Sequence, residues 1–182
     1  MLNRFMRWAV PKLESWCQRR GKFLAITGKQ GPDDVYLMRY FLLRTPLVSV
    51  YIHRFLRSDR DDPHDHPFDF LSYVVSGGYT EIRYRLIRYP EKGEFLMEYN
   101  GTRGPGTFAW RPATAIHKVL VDKNRKMHEI KDAPLTIIVR GPLRREWNFY
   151  RLYPLYFGPK KAKAFKKVLW FKYLNVKPEV RE

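Results

Sequence analysis

Cysteine is almost missing from this chain. Cys17 stands alone among 182 residues, so no intrachain disulfide can form, and the expected setting is a reducing compartment. Long apolar runs are missing too: nothing approaches the ~20 residues a membrane-spanning helix needs. The opening "MLNRFMRWAVPKLESWCQRRG" is not a secretory signal, because Arg4, Arg7, Pro11 and Lys12 interrupt any apolar core. The expectation is a soluble, cytoplasmic protein. Gly-x-Ser-x-Gly, the phosphate-loop pattern, Gly-x-Gly-x-x-Gly and Cys-x-x-Cys are all absent, which removes the usual marks of esterases, nucleotide-binding loops and dithiol sites. Acid is scarce: 18 Asp and Glu face 35 Lys and Arg, for a net charge of +17. Such a field attracts polyanions. The expected partner is an anionic small molecule or nucleic acid, with an anionic membrane surface as a further candidate.

What is present reads as one β-rich domain. Hydrophobic residues make up 45%, including 12 Phe, 12 Tyr and 5 Trp. Short runs such as "VYLMRYFLL", "LVSVYIHRF", "DFLSYVV", "YTEIRYRLIRY", "IHKVLV", "LTIIV" and "WNFYRLY" alternate with turn clusters such as "SDRDDP", "SGG" and "NGTRGPG". Strands at roughly 8–12-residue spacing predict an all-β sandwich or barrel. We place it at residues 35–157. Residues 1–34 form an N-terminal extension with an amphipathic helix, apolar at Phe5, Trp8, Leu13 and Trp16 and basic at Arg4, Arg7, Lys12, Arg19 and Arg20. Residues 158–182 read as a basic C-terminal helix, with Ala164, Phe165, Val168, Leu169 and Tyr173 near helical spacing among lysines.

Histidine is rare as well, with five in the chain, yet "DDPHDHPFDF" places His64 and His66 one residue apart. On an extended chain, residues i and i+2 share a face. Two imidazoles offered together suit a divalent transition metal: iron, zinc, nickel, copper or manganese. His117, in "PGTFAWRPATAIHKV", begins another strand after a proline-containing turn, and a barrel can bring it to the same point. His53 and His128 read as ordinary packing or surface residues.

These motifs resemble those of the cupin superfamily. "HDH" followed by an apolar strand ending in Gly77-Gly78 is similar to the first cupin motif, and "PGTFAWRPATAIHKV" to the second. The resemblance spans roughly residues 35–150. It implies a small antiparallel jelly-roll barrel, a divalent transition metal with iron first and zinc, nickel or manganese as the other candidates, and pairing into a homodimer. Many cupins carry a glutamate ligand four or five residues after the second histidine; Phe70 and Leu71 stand there instead. The carried-over ligand set is therefore His64, His66 and His117, as in three-histidine cupins of the cysteine dioxygenase type. Asp69 is the candidate fourth ligand, or else a carboxylate that orients a ligand or pins a loop, roles open also to Asp62 and Asp65.

Three further residues are candidates for catalysis. Glu81 shares a strand face with Tyr79, Arg83 and Arg85 and would act as a general base, with Arg83 as an anion clamp. Arg145, beside Trp147, would grip phosphate or stack on a base; Arg111 would lie near the metal. The expected function is a metal-dependent oxidative enzyme, dioxygenase- or hydroxylase-like, acting on an anionic substrate such as a nucleotide or nucleic acid. The alternatives are a non-catalytic module that binds nucleic acid or an anionic surface through its basic ends, and a non-oxidative isomerase.

Overall fold

The structure, a computed structural model, describes residues 1–27, 34–59, 62–90, 93–121, 133–156 and 162–169. It opens with helix α1 (Leu2–Arg19) and continues as strands β1 (Phe23–Thr27), β2 (Val35–Arg44), β3 (Ser49–Phe55), β4 (Phe70–Ser76), β5 (Tyr79–Tyr89), β6 (Gly93–Arg103), β7 (Phe108–Arg111), β8 (Ile116–Leu120), β9 (Leu135–Arg140), β10 (Asn148–Tyr156) and β11 (Ala162–Leu169). Two antiparallel sheets result, in the orders β1-β2-β3-β9-β4-β7 and β10-β11-β6-β5-β8. The all-β expectation holds, and the sheets curl on one another as a jelly-roll barrel.

Helix α1 covers part of the outer face of the first sheet. Val10 and Cys17 are buried there with Tyr40, Ile52, Tyr73, Val75 and Leu135. The helix carries one acid, Glu14, buried in a salt bridge to Arg54 of β3. Asn3 Oδ1 accepts a hydrogen bond from Tyr73 OH at 3.2 Å, fixing the helix start over β4. Gly77, at φ +74, turns β4 into β5. Gly78 follows closely: a Cβ there would meet the Arg103 carbonyl oxygen at 3.0 Å.

Two parts of the terminal reading change. β1 lies inside the stretch expected to be helical extension, paired with β2 from Phe23↔Tyr40 to Thr27↔Val35. The C-terminal helix is corrected to a strand over Ala162–Leu169, paired with β10 from Asn148↔Leu169 to Leu152↔Phe165 and with β6 at Ala162↔Met97 and Lys163↔Leu96. The physical reason is tertiary. A helix would stack Lys163 on Lys166 and Lys167, and like charges at that spacing repel. As a strand, the segment fills the gap between β10 and β6, and Phe165 packs with Tyr84, Leu96 and Tyr150. The rest of that stretch, including Tyr173, lies outside the described residues, as does His128.

Candidate metal centre

The segment from Pro63 to His66 is a short rung between two strands. His64 and His117 exchange both backbone hydrogen bonds at 3.0 Å, and His64 also bridges to Phe149 of β10. Tyr150 N donates to Pro63 O at 2.7 Å, and Asp65 N donates to Asn148 O at 3.1 Å. The rung thus lies with β8 on one side and β10 on the other, and alternation sends His64 and His66 to one face while Asp65 goes to the other.

Asp65 is fully buried and acts as a clamp. Its carboxylate accepts from Asn148 N at 2.6 Å, Arg145 Nη1 at 2.8 Å and Tyr150 OH at 2.9 Å. Arg145, expected to grip substrate, instead spends its guanidinium on Asp65 and on the Ala113 carbonyl. Asp69 does not join the histidines. Its two oxygens accept from Ala113 N and Arg144 Nη1, both at 2.7 Å. It therefore pins the "WRPAT" loop, the loop-holding role foreseen as its alternative. Asp62 lies 3.8 Å from Arg151.

The ligand nitrogens of His64, His66 and His117 all lie within 4.8 Å of one another, with His66 Nε2 2.8 Å from His117 Nε2. Two nitrogens on one metal at ~2.0–2.1 Å stand about 3 Å apart, so the three imidazoles fit a single ion. Rings close the site: Phe68 and Phe70 lie 5.7 and 4.9 Å from His66, and Trp147 and Phe149 lie 5.8 and 5.5 Å from His64. Burial, followed by the neighbouring His117, lowers the His64 pKa to about 3; burial, then His117 and His64, likewise hold His66 well below the usual histidine range. Both are neutral at pH 7, the form that ligates. The donor set suits a divalent metal and leaves its identity open.

Glu81 takes a different role from the one read in the sequence. It lies 4% exposed on the inner face of β5, and its Oε1 is 2.9 Å from His117 Nδ1. Arg111 Nε donates to the same oxygen at 2.8 Å and Arg103 Nε to Oε2 at 3.1 Å. Burial alone would raise its pKa, but the His117 and Arg111 bonds outweigh burial and hold it well below the carboxylate range. So committed, Glu81 is no base for substrate; it fixes the His117 ring and tautomer so that Nε2 faces the cluster. The signal lay in the pattern: Glu81 pairs with Val119, diagonal to His117 on the same face. A second acid, Asp59, reaches within 3.4 Å of His64 Nδ1. Arg83 stands directly across from His117 but is exposed. With Arg85, Tyr99, Arg111 and Ala115 it lines an open pocket of about 390 Å³.

No protein-family model matches the chain, and no curated protein matches it. Solved structures do. Hydroxypropylphosphonic acid epoxidase from S. wedmorenis aligns at TM-score 0.44 and 13% identity over 66% of this chain and 56% of its own; the chain spans about half that enzyme's length. KdgF from Halomonas sp. aligns at 0.39 and 21% over 60% and 81%, and an RmlC-like cupin from Shewanella frigidimarina NCIMB 400 at 0.39 and 17% over 60% and 79%. Two curled antiparallel sheets around a cluster of three histidines give this chain a cupin-like fold.

Proposed function

We propose that the chain is a metal-dependent enzyme that acts oxidatively on an anionic substrate, with one divalent transition metal, iron in the first place, held by His64, His66 and His117. The observation that carries this reading is the meeting of three imidazoles, with no carboxylate among them, inside a wall of aromatic rings. Iron(II) held by the three imidazoles would supply electrons for dioxygen chemistry. The protein's own groups do the rest. Glu81 orients His117. Phe68, Phe70, Trp147 and Phe149 limit water and keep the imidazoles neutral. Without a carboxylate ligand a bound ion would keep its full positive charge, and Arg83 and Arg85 add positive charge on the strand beside His117; both favour an anionic substrate, a nucleotide among the candidates. Metal analysis of freshly purified protein tests the reading: the expected result is about one metal per chain, lost in the His64→Ala/His66→Ala double variant. Oxygen uptake with a panel of anions tests the chemistry. Native zinc together with no uptake would replace oxidation by a Lewis-acid reaction such as isomerisation.

A second observation favours a place of work. On α1, Leu2, Phe5 and Trp8 are 54–61% exposed beside Arg4, Arg7 and Lys12, and Lys12 Nζ lies 3.7 Å over the Trp8 ring. Phe108 and Trp110 of β7 are exposed as well, and Phe108 packs on the same Tyr73 that bonds Asn3. Exposed aromatics among basic residues, with the helix's acid buried, complement an anionic bilayer surface. A second copy is the competing occupant and would oppose like charges, since each chain carries +17. No helix among the described residues is long and apolar enough to cross a membrane; the exposed aromatics and basic residues of α1 fit docking in the interface of a leaflet rich in anionic lipid. Co-sedimentation with phosphatidylserine vesicles, lost in Phe5→Ala/Trp8→Ala, is the expected result. Equal binding by that variant, or a dimer in solution that the variant disrupts, would overturn it.

A further inference from the structure

Among the described residues, two of the three buried arginines have carboxylate partners. Arg54 is bound to Glu14, and Arg111 to Glu81. Arg140 of β9 is the exception. It is 8% exposed, yet among the described residues it forms no ion pair with a carboxylate. Its Nε donates to Tyr51 OH at 2.9 Å, its Nη1 donates to the Gly141 carbonyl at 2.9 Å, and its guanidinium lies 5.2 Å from the Phe68 ring centre. Its Nη2 has no acceptor among the described residues and is not sealed from solvent. A largely buried charge without a counter-charge is costly, so a guanidinium that keeps one donor open to solvent fits a site completed by a ligand.

The surroundings point the same way. Arg140, Tyr51 and Phe70 share the inner face of the first sheet, in register through Phe70↔Arg140 and Tyr51↔Ile138. Arg39 of β2 lies opposite His53, donates from Nε to His53 Nε2 at 3.0 Å and places its guanidinium 5.1 Å from the Tyr51 ring centre. Tyr51 therefore has one guanidinium at its hydroxyl and another over its ring. The set lies beside the histidine cluster: Phe68, under Arg140, stacks on His66 at 5.7 Å, and Phe70 meets His66 edge-on.

We propose that Arg140, with Tyr51 and Arg39, binds the terminal oxoanion, a carboxylate or a phosphate, of a small-molecule substrate whose reacting end lies at His64, His66 and His117. The inference rests on the metal-enzyme reading and narrows its substrate. Arg140 and Tyr51 are both buried on the inner face of the first sheet, which suits a single terminal group of a small molecule better than the continuous backbone of a nucleic acid. The guanidinium plane matches either oxoanion in a two-pronged contact, and Tyr51 holds that plane in place.

Calorimetric titration with inorganic phosphate and with acetate, at fixed chloride, tests the site and tells the two chemistries apart. The wild-type chain binds one of them, and Arg140→Gln weakens that binding roughly tenfold or more while the metal content stays unchanged. Tyr51→Phe keeps the ring and loses the bond that orients Arg140; it weakens the anion several-fold and serves if Arg140→Gln does not fold. Wild-type protein that binds neither anion, or equal affinity in wild type, Arg140→Gln and Tyr51→Phe, overturns the proposal. The metal-free His64→Ala/His66→Ala chain separates the two readings. Arg140-dependent anion binding in that variant, with no more metal in the wild-type chain than in the variant, would sink the metal centre and leave the oxoanion site standing.

Discussion

Glu81 Oε1 and His117 Nδ1 lie 2.9 Å apart, two buried groups on neighbouring strands β5 and β8. The carboxylate that looks like a free base in the sequence is the group that aims a metal ligand. The expected consequence differs from that of a lost base. Glu81→Gln should weaken metal binding about 10–100-fold, the usual effect of removing such a partner. It also leaves Arg111 and Arg103 short of charge, and should destabilise the fold by about 3–5 kcal/mol. Metal titration and urea unfolding measure the two effects. Normal metal affinity with lost turnover would restore the general-base reading.

Asp65 is the second carboxylate to test. Asp65→Ala removes the acceptor shared by Asn148 N, Arg145 and Tyr150 OH. A loss of about 3–5 kcal/mol is expected for an uncompensated buried partner, together with weaker metal binding, because the same rung carries His64 and His66. Unchanged stability would mean that solvent reaches Arg145 freely.

The histidines set a pH dependence for the metal-free protein. His64 is lowered to about 3, and burial, then Arg39, holds His53 well below the usual range. Their folded values lie below the unfolded value of about 6.5. As pH falls through 6.5 the unfolded chain takes up protons that the folded chain refuses, so stability drops toward pH 3 and is fully present above 6.5. Each such histidine contributes a slope of about 1.4 kcal/mol per pH unit. Unfolding free energies across that window should show the slope. A flat profile would mean that the imidazoles are solvated.

The β11 assignment makes its own prediction. Backbone amides of Ala162–Leu169 that pair with β10 and β6 should exchange slowly with deuterium, in the alternating pattern of a strand. Phe165→Ala should cost about 1–3 kcal/mol, since the ring is part-buried in the cluster with Tyr150 and Tyr84. Uniformly fast exchange would remove the strand.

The cluster itself was legible because its signal is local. A His-x-His pair in an extended segment shares a face whatever the tertiary fold, and the proline turn before His117 marks a strand start. Most of the strands were legible from turn spacing. What stayed hidden depends on partners distant in sequence. Glu81 and Asp69 could be placed as acids near histidines, but their hydrogen-bond partners lie 36 and 44 residues away. Arg140 and Arg39 sit in strands that read as ordinary apolar runs, and alternation alone does not say which face is inside. The lysine-rich segment has apolar residues that suit either period; the open edges of β6 and β10 decided it.

His64 pairs through its backbone with β8 on one side and β10 on the other, and the second sheet runs from β10 through β11, β6 and β5 to β8. One short rung therefore joins the two outermost strands of that sheet and turns an open ribbon into a ring. Exposed strand edges are templates for pairing with other chains, so the residues that gather a metal also keep this sheet from recruiting its neighbours. Damage to the rung, by a substitution at Asp65 for example, would therefore show as self-association alongside the weaker metal binding.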